Sequence, residues 1–132
     1  MKHKEKKIFT FGLLMLICSC SSDYTKNLGA SYFYRYEAND LRDILCEKAG
    51  GGEIPADIIS YNYNTDFIIA LQKPRLPQDP LYEKTYTYYK GDTINYFWLI
   101  IKKERKVFGP LDEKSFNQLR KKLGVPSSLL LK

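Results

Sequence analysis

The run Ile94–Lys103 (INYFWLIIKK) most constrains what this 132-residue chain can fold into, because its centre is apolar at odd and even positions alike. A strand with one wet face alternates, whereas a strand buried on both faces reads as a continuous apolar stretch. The run therefore predicts a central strand covered on both sides.

Other strands are expected around it. Tyr32–Tyr36 (YFYRY) has β-prone aromatics at alternate positions and reads as a first strand. Asp43–Glu47 (DILCE) reads as a second, ending at the Ala49-Gly50-Gly51-Gly52 turn, where glycine permits positive φ. Ala56–Tyr63 and Phe67–Gln72 flank Asn64-Thr65-Asp66, a hairpin signal, since Asn and Asp tolerate turn geometry. Three prolines within Lys73–Pro80 break any regular element and start a long connection, and Tyr82–Tyr89 fits no clear period. Val107-Phe108 reads as a short returning strand closed by Gly109-Pro110.

A helix is expected at residues 113–123. Asp112 can cap it, Leu111 can staple onto Phe116, Glu113 lies in the first turn and Lys121 and Lys122 in the last. Gly124 and Pro126 end it, and Phe116, Leu119 and Leu123 share one face that should lie against the sheet. The expected class is α+β: an antiparallel meander sheet of about five strands with a C-terminal helix packed on it, in a single domain over residues 31–126. Residues 127–132 are expected to be a loose tail.

The first residues carry an address. Lys2, Lys4, Lys6 and Lys7 precede a ten-residue apolar run, Ile8–Ile17. These are the basic and apolar regions of a secretory leader, and the run falls short of the roughly 20 residues a spanning helix needs. Ile17-Cys18-Ser19-Cys20 resembles the lipobox of bacterial lipoproteins, which implies a leader over residues 1–19 and lipidation of Cys20. Cys18 competes for that role but has Ile17 before it, where a small residue is required; Ser19 meets that demand for Cys20. An ordinary cleaved leader with chance cysteines is the alternative. The lipid partner would be the membrane, reached through a polar tether over residues 20–30. Ser21 after Cys20, in place of the Asp of some inner-membrane retention signals, tilts the expected location in the bacterial envelope toward the outer membrane.

Cleavage also changes the charge. Of 21 Lys and Arg and 15 Asp and Glu, the leader holds four Lys and one Glu, so residues 20–132 carry 17 against 14, a net charge of +3. Without a basic cluster interleaved with aromatics, nucleic acid is not an expected partner, and Lys102–Lys106 reads as a solvated turn that blunts strand pairing. After cleavage Cys20 and Cys46 are the remaining cysteines and no histidine is left, since His3 is the only one. An internal disulfide, Ser-His-Asp or Cys-His catalysis and histidine-built metal sites are thereby excluded for the mature chain. Only oxygen-ligated ions such as calcium or magnesium stay conceivable, and the expected cofactor and metal sets are empty. Cys46, beside Ile44 and Leu45, reads as a small core hydrophobe.

Candidate sites each have a plain competitor. Glu37, Asp40, Asp43 and Glu47 could supply paired carboxylates for glycoside hydrolysis, or could edge a solvated strand and turn. Ala49–Glu53 (AGGGE) lacks the Gly-Lys-Ser/Thr of a phosphate cradle and reads as a turn. The eleven tyrosines are the compositional oddity. A stripe of Tyr32, Tyr34 and Tyr36 on one strand face is the candidate binding surface for a protein or sugar, against the reading that half-buried sheets favour tyrosine anyway. Trp98 reads as core.

Tyr32–Tyr36, Ile58–Tyr63 with Phe67–Ala70, and Trp98–Lys103 leading to Gly109-Pro110-Leu111 and a Phe116-containing helix together resemble small bacterial lipoproteins carrying a domain of unknown function. The resemblance covers most of residues 24–126. It implies a secreted β-rich domain and transfers no active site. The expected function is a non-enzymatic, membrane-anchored envelope lipoprotein that binds a protein or glycan. A small tethered inhibitor or immunity protein and a carboxylate-based glycan hydrolase are the alternatives.

Overall fold

The computed structural model describes residues 23–38 and 40–132. The leader, Cys18 and Cys20 lie outside the described residues. Among the described residues seven strands and one helix follow in chain order: β1 (Tyr24–Gly29), β2 (Tyr32–Glu37), β3 (Leu41–Cys46), β4 (Ile58–Tyr63), β5 (Phe67–Gln72), β6 (Tyr96–Ile101), β7 (Lys106–Leu111) and α1 (Glu113–Leu123). The class is α+β as expected, with antiparallel strands and the C-terminal helix on a sheet. The strands divide into two meander sheets, β1-β2-β3 and β4-β5-β6-β7, where the sequence suggests one of about five strands.

Three layers result. The inner face of β1-β2-β3 contributes Leu28, Tyr32, Tyr34 and Ile44, which pack against Ile58, Ile68, Ala70, Trp98 and Ile100 of the larger sheet. The opposite face of that larger sheet sets Ile69 and Leu99 against Phe116, Val125 and Leu129. Strand β6 alternates between these two cores, with Trp98, Leu99 and Ile100 all fully buried. That is why its sequence lacks a polar face.

Polar residues end these elements as their chemistry dictates. Asn64 Oδ1 accepts from the Asp66 and Phe67 amides at 2.9 and 2.7 Å, closing the β4–β5 hairpin. The Asp112 side chain accepts from Ser115 N at 2.7 Å, and Gly124 takes the left-handed conformation that stops α1. Strand β7 extends through Gly109-Pro110 rather than closing there. Gly109 lies so close to the Trp98 ring that a Cβ would strike it, and the register shifts at the facing Phe97–Leu99.

Three further expectations are corrected. Tyr24–Gly29, assigned to the tether, forms edge strand β1, whose only buried residue is Leu28. The tail does not hang loose: Leu129 is buried, Asn62 Nδ2 donates to Leu130 O at 2.8 Å, and Ser60 Oγ donates to Lys132 O. Lys102, expected in a solvated turn, is buried, with its ammonium donating to the carbonyls of Leu28 and Asn64 beneath the Tyr63 ring. It ties the end of β1 to the β4–β5 turn, and burial lowers its pKa.

Candidate binding cleft

The three-glycine turn is the foundation of the site. Tyr32 reaches it from β2 and donates its hydroxyl to Gly51 O, with burial pushing the phenol up to about 12. Gly52 (φ +92°) sits against β7, where a Cβ would run into Val107 Cγ2. Ile54 then bridges to Ile44, with Ile44 N to Ile54 O at 3.1 Å and Ile54 N to Ile44 O at 2.8 Å. Glu53 is thereby placed beside β3.

The connection over residues 73–95 closes over this turn, held by tyrosines. Tyr82 donates its hydroxyl to Asp43 Oδ2 at 2.6 Å and accepts from Ala56 N at 3.1 Å. Tyr86 packs edge-on against Trp98 with ring centroids 4.8 Å apart. The Tyr88 hydroxyl accepts from Gln72 Nε2 at 2.9 Å, while Gln72 Oε1 accepts from Trp98 Nε1 at 2.6 Å, so the buried amide is satisfied on both sides. Between Tyr82 and Tyr86 the chain presents Glu83 and Lys84. Glu83 N donates to Glu53 Oε1 at 2.7 Å, and Gly50 N donates to the Glu83 carboxylate at 3.3 and 3.4 Å.

A cleft of about 460 Å³ opens where these pieces meet the start of β7. Glu53 and Glu83 contribute carboxylates, Lys84, Arg105 and Lys106 contribute cations, and Tyr86 contributes a half-buried ring. Burial raises the Glu53 carboxyl; the Glu83 amide opposes the rise, while the Glu83 and Asp43 carboxylates add to it. Such a site offers opposed charges and an apolar face to one ligand. A second groove, of about 550 Å³, runs between α1 and the tail and is lined by Phe97, Phe116, Val125, Leu130 and Leu131 among others. Glu113, Arg120 and Lys121 line it too, with Arg120 over the Phe116 ring at 5.6 Å, but it brings one carboxylate where the cleft brings two, and no tyrosine.

The residues singled out from sequence lie elsewhere. Tyr32 and Tyr34 do share a strand face, but that face is the core: they are 0% and 6% exposed, and only Tyr36 is partly open. Tyr32 and Tyr34 thus serve packing, while Tyr36 stays partly open and stacks on Tyr24. The four acids do not converge. Asp40 and Glu47 stand at opposite ends of β3, about 20 Å apart at 3.3 Å per residue. Asp43 is fully buried in a bidentate pair with Arg35, Nε to Oδ1 at 3.0 Å and Nη2 to Oδ2 at 2.6 Å, and Glu37 flanks the same guanidinium at 3.9 Å. Cys46 is a free, half-buried thiol packed beneath Gly51. Trp98 is core as expected.

Sequence reasoning passed over Glu53, Glu83, Tyr86 and Arg105. The Glu53–Glu83 approach joins residues 30 apart and leaves no local signal; the glycine turn beside Glu53 was the one visible hint. Among the described residues no cluster of His, Cys, Asp and Glu suits a metal ion, and no helix is long and apolar enough to cross a membrane.

No curated protein and no solved structure matches this chain. A family model does match, over residues 32–132, which spans β2 to the end of the tail and so includes every residue of the cleft. The chain belongs to DUF3997, a family of proteins of unknown function.

Proposed function

We propose that the protein is a lipid-anchored, non-catalytic binding domain of the bacterial cell envelope, tethered through acylated Cys20 and holding an envelope glycan or a protein partner in the cleft beside the three-glycine turn. The observation that carries this reading is the convergence of Glu53 and Glu83 with Arg105, Lys106 and the Tyr86 ring on one concave surface. Sugar faces pack on aromatic rings, while the amines and carboxylates of short peptides pair with acids and bases. A glycan bearing peptide stems offers all three groups, so a glycan–peptide of the cell wall suits the cleft better than a plain sugar. Two acyl chains on one residue give stable anchoring, as one short chain does not. The leader and the lipobox resemblance support that anchor, and Ser21 supports the outer membrane as its destination.

Two measurements test the reading. Intact mass and membrane partition, compared among wild type, Cys20→Ala and Cys18→Ala, should show acylation and membrane residence lost only with Cys20→Ala. Sedimentation with purified cell-wall sacculi should carry the protein into the pellet, and Arg105→Ala with Lys106→Ala should return it to the supernatant. An unacylated wild type removes the anchor, and wall binding that is absent or indifferent to the cleft variants removes the ligand assignment.

A further inference from the structure

Strand β1 leaves little chain for a tether. It begins at Tyr24, so only residues 21–23 separate it from Cys20. Four Cα steps span at most about 14 Å even when fully extended. An acylated Cys20 at the membrane surface would therefore hold the start of β1 within that distance of the bilayer, so the domain rests on it.

The surface at this end suits such a position. Tyr24 is 54% exposed and stacks on Tyr36 with centroids 5.5 Å apart and planes 10° apart. Tyr36 pairs with Arg42, whose amide donates to Asp57 Oδ1 at 3.0 Å. Asp57 leads into β4, where Ile59 is 50% exposed, and accepts from Arg75, whose neighbour Leu76 is 42% exposed. Tyr24, Ile59 and Leu76 thus flank the contacts that run from Tyr36 through Arg42 and Asp57 to Arg75 at one end of the sandwich. Arg42 and Arg75 both engage Asp57, at 3.6 and 3.3 Å, and Asp40 meets Tyr36 and Arg75, so the arginines of this end are offset by acids, while Lys26 and Lys132 line a groove with Ile59.

We infer that the Tyr24, Ile59 and Leu76 end of the sandwich docks on the bilayer surface, an inference that rests on the proposed acylation of Cys20. The contact is aromatic and apolar: tyrosine, with an apolar ring and a polar tip, favours the headgroup level. It does not depend on anionic lipid. The glycine turn is tied to Tyr32, at the other end of β2 from Tyr36, so docking points the cleft away from the membrane.

The test uses the full lipidated chain in vesicles of phosphatidylethanolamine and phosphatidylcholine, with and without brominated acyl chains. Tyr24→Trp and Lys84→Trp each add one indole at an exposed position, at the docking end and at the cleft, while Trp98 in the core supplies a constant background. Brominated lipid should lower the emission added by Tyr24→Trp about twofold or more and leave that of Lys84→Trp unchanged, at low and high salt alike. Equal quenching of both, quenching of neither, or a dependence on added anionic lipid overturns the docking while the anchor stands, provided intact mass on the same sample shows acylation. A sample without acyl mass overturns the anchor, and the docking with it.

Discussion

The rings of Tyr34 and Tyr61 stack 4.4 Å apart at 21°, one from each sheet, and join the two halves of the sandwich. Tyr34 is buried, so its truncation removes core packing and leaves a cavity. Tyr34→Ala should cost about 3–5 kcal/mol, and a double-mutant cycle with Tyr61→Ala should return a coupling of about 0.5–1.5 kcal/mol beyond the loss of buried area. Urea melts followed by circular dichroism measure both. A cost below about 1 kcal/mol for Tyr34→Ala would restore the tyrosine stripe as a surface feature.

Asp43 is an acceptor for Arg35 and Tyr82 together, which pins the 73–95 connection to β3. Asp43→Asn removes the negative charge and leaves the guanidinium imperfectly paired. Arg35 keeps 28% of its side chain in water, so the loss should be about 2–3 kcal/mol, below the 3–5 of a fully buried pair. Hydrogen exchange should also show the amides of residues 79–86 opening before those of β5 and β6. Uniform exchange across the domain would contradict the pinning.

Glu53 gives stability a specific pH dependence. Burial raises its carboxyl in the folded protein, so the folded state binds more protons than the unfolded one between the ordinary carboxylate value and the raised one. Stability from this group is therefore greatest at low pH and falls as pH climbs through that window. Glu53→Gln can still accept from the Glu83 amide, and it should abolish the fall, leaving the variant at least as stable as wild type above the window. Tm against pH from about 4 to 7 measures this. Parallel curves for the two proteins would show that Glu53 is not strained by its burial.

Gly52→Ala meets two obstacles, a positive φ and the Val107 methyl. The change should destabilise by about 2–3 kcal/mol and weaken cleft binding more than a surface substitution of equal thermal cost. Gly91→Ala, with open space around it, isolates the backbone contribution, about 1 kcal/mol. Equal losses at the two glycines would mean that the approach to β7 is unimportant.

The parts legible in the sequence are those whose causes are local. The apolar faces of β6, the Asn64 turn and the caps at Asp112 and Gly124 each lie within a few residues of the element they define. Strand β1 was missed because its exposed edge needs only one buried residue, Leu28, and so shows no alternation. The alternation of Tyr32, Tyr34 and Tyr36 announces a strand face but not which way it points, since tyrosine serves core and surface alike. The outer edge of β3 is met by the Ile44–Ile54 bridge, and the cleft depends on the meeting of Glu53 with Glu83. Both are tertiary events between residues 10 and 30 positions apart, and nothing adjacent in the chain encodes them.

The most direct test of the cleft as a ligand site is a titration of the isotope-labelled protein with soluble peptide-bearing cell-wall fragments, followed by amide shifts. Binding in the micromolar to millimolar range, about −8 to −4 kcal/mol, should move residues 50–53, 83–86 and 105–107 together, and Arg105→Ala should weaken it about tenfold. Shifts that concentrate on the groove between α1 and the tail, or no shifts at millimolar fragment, would contradict the account.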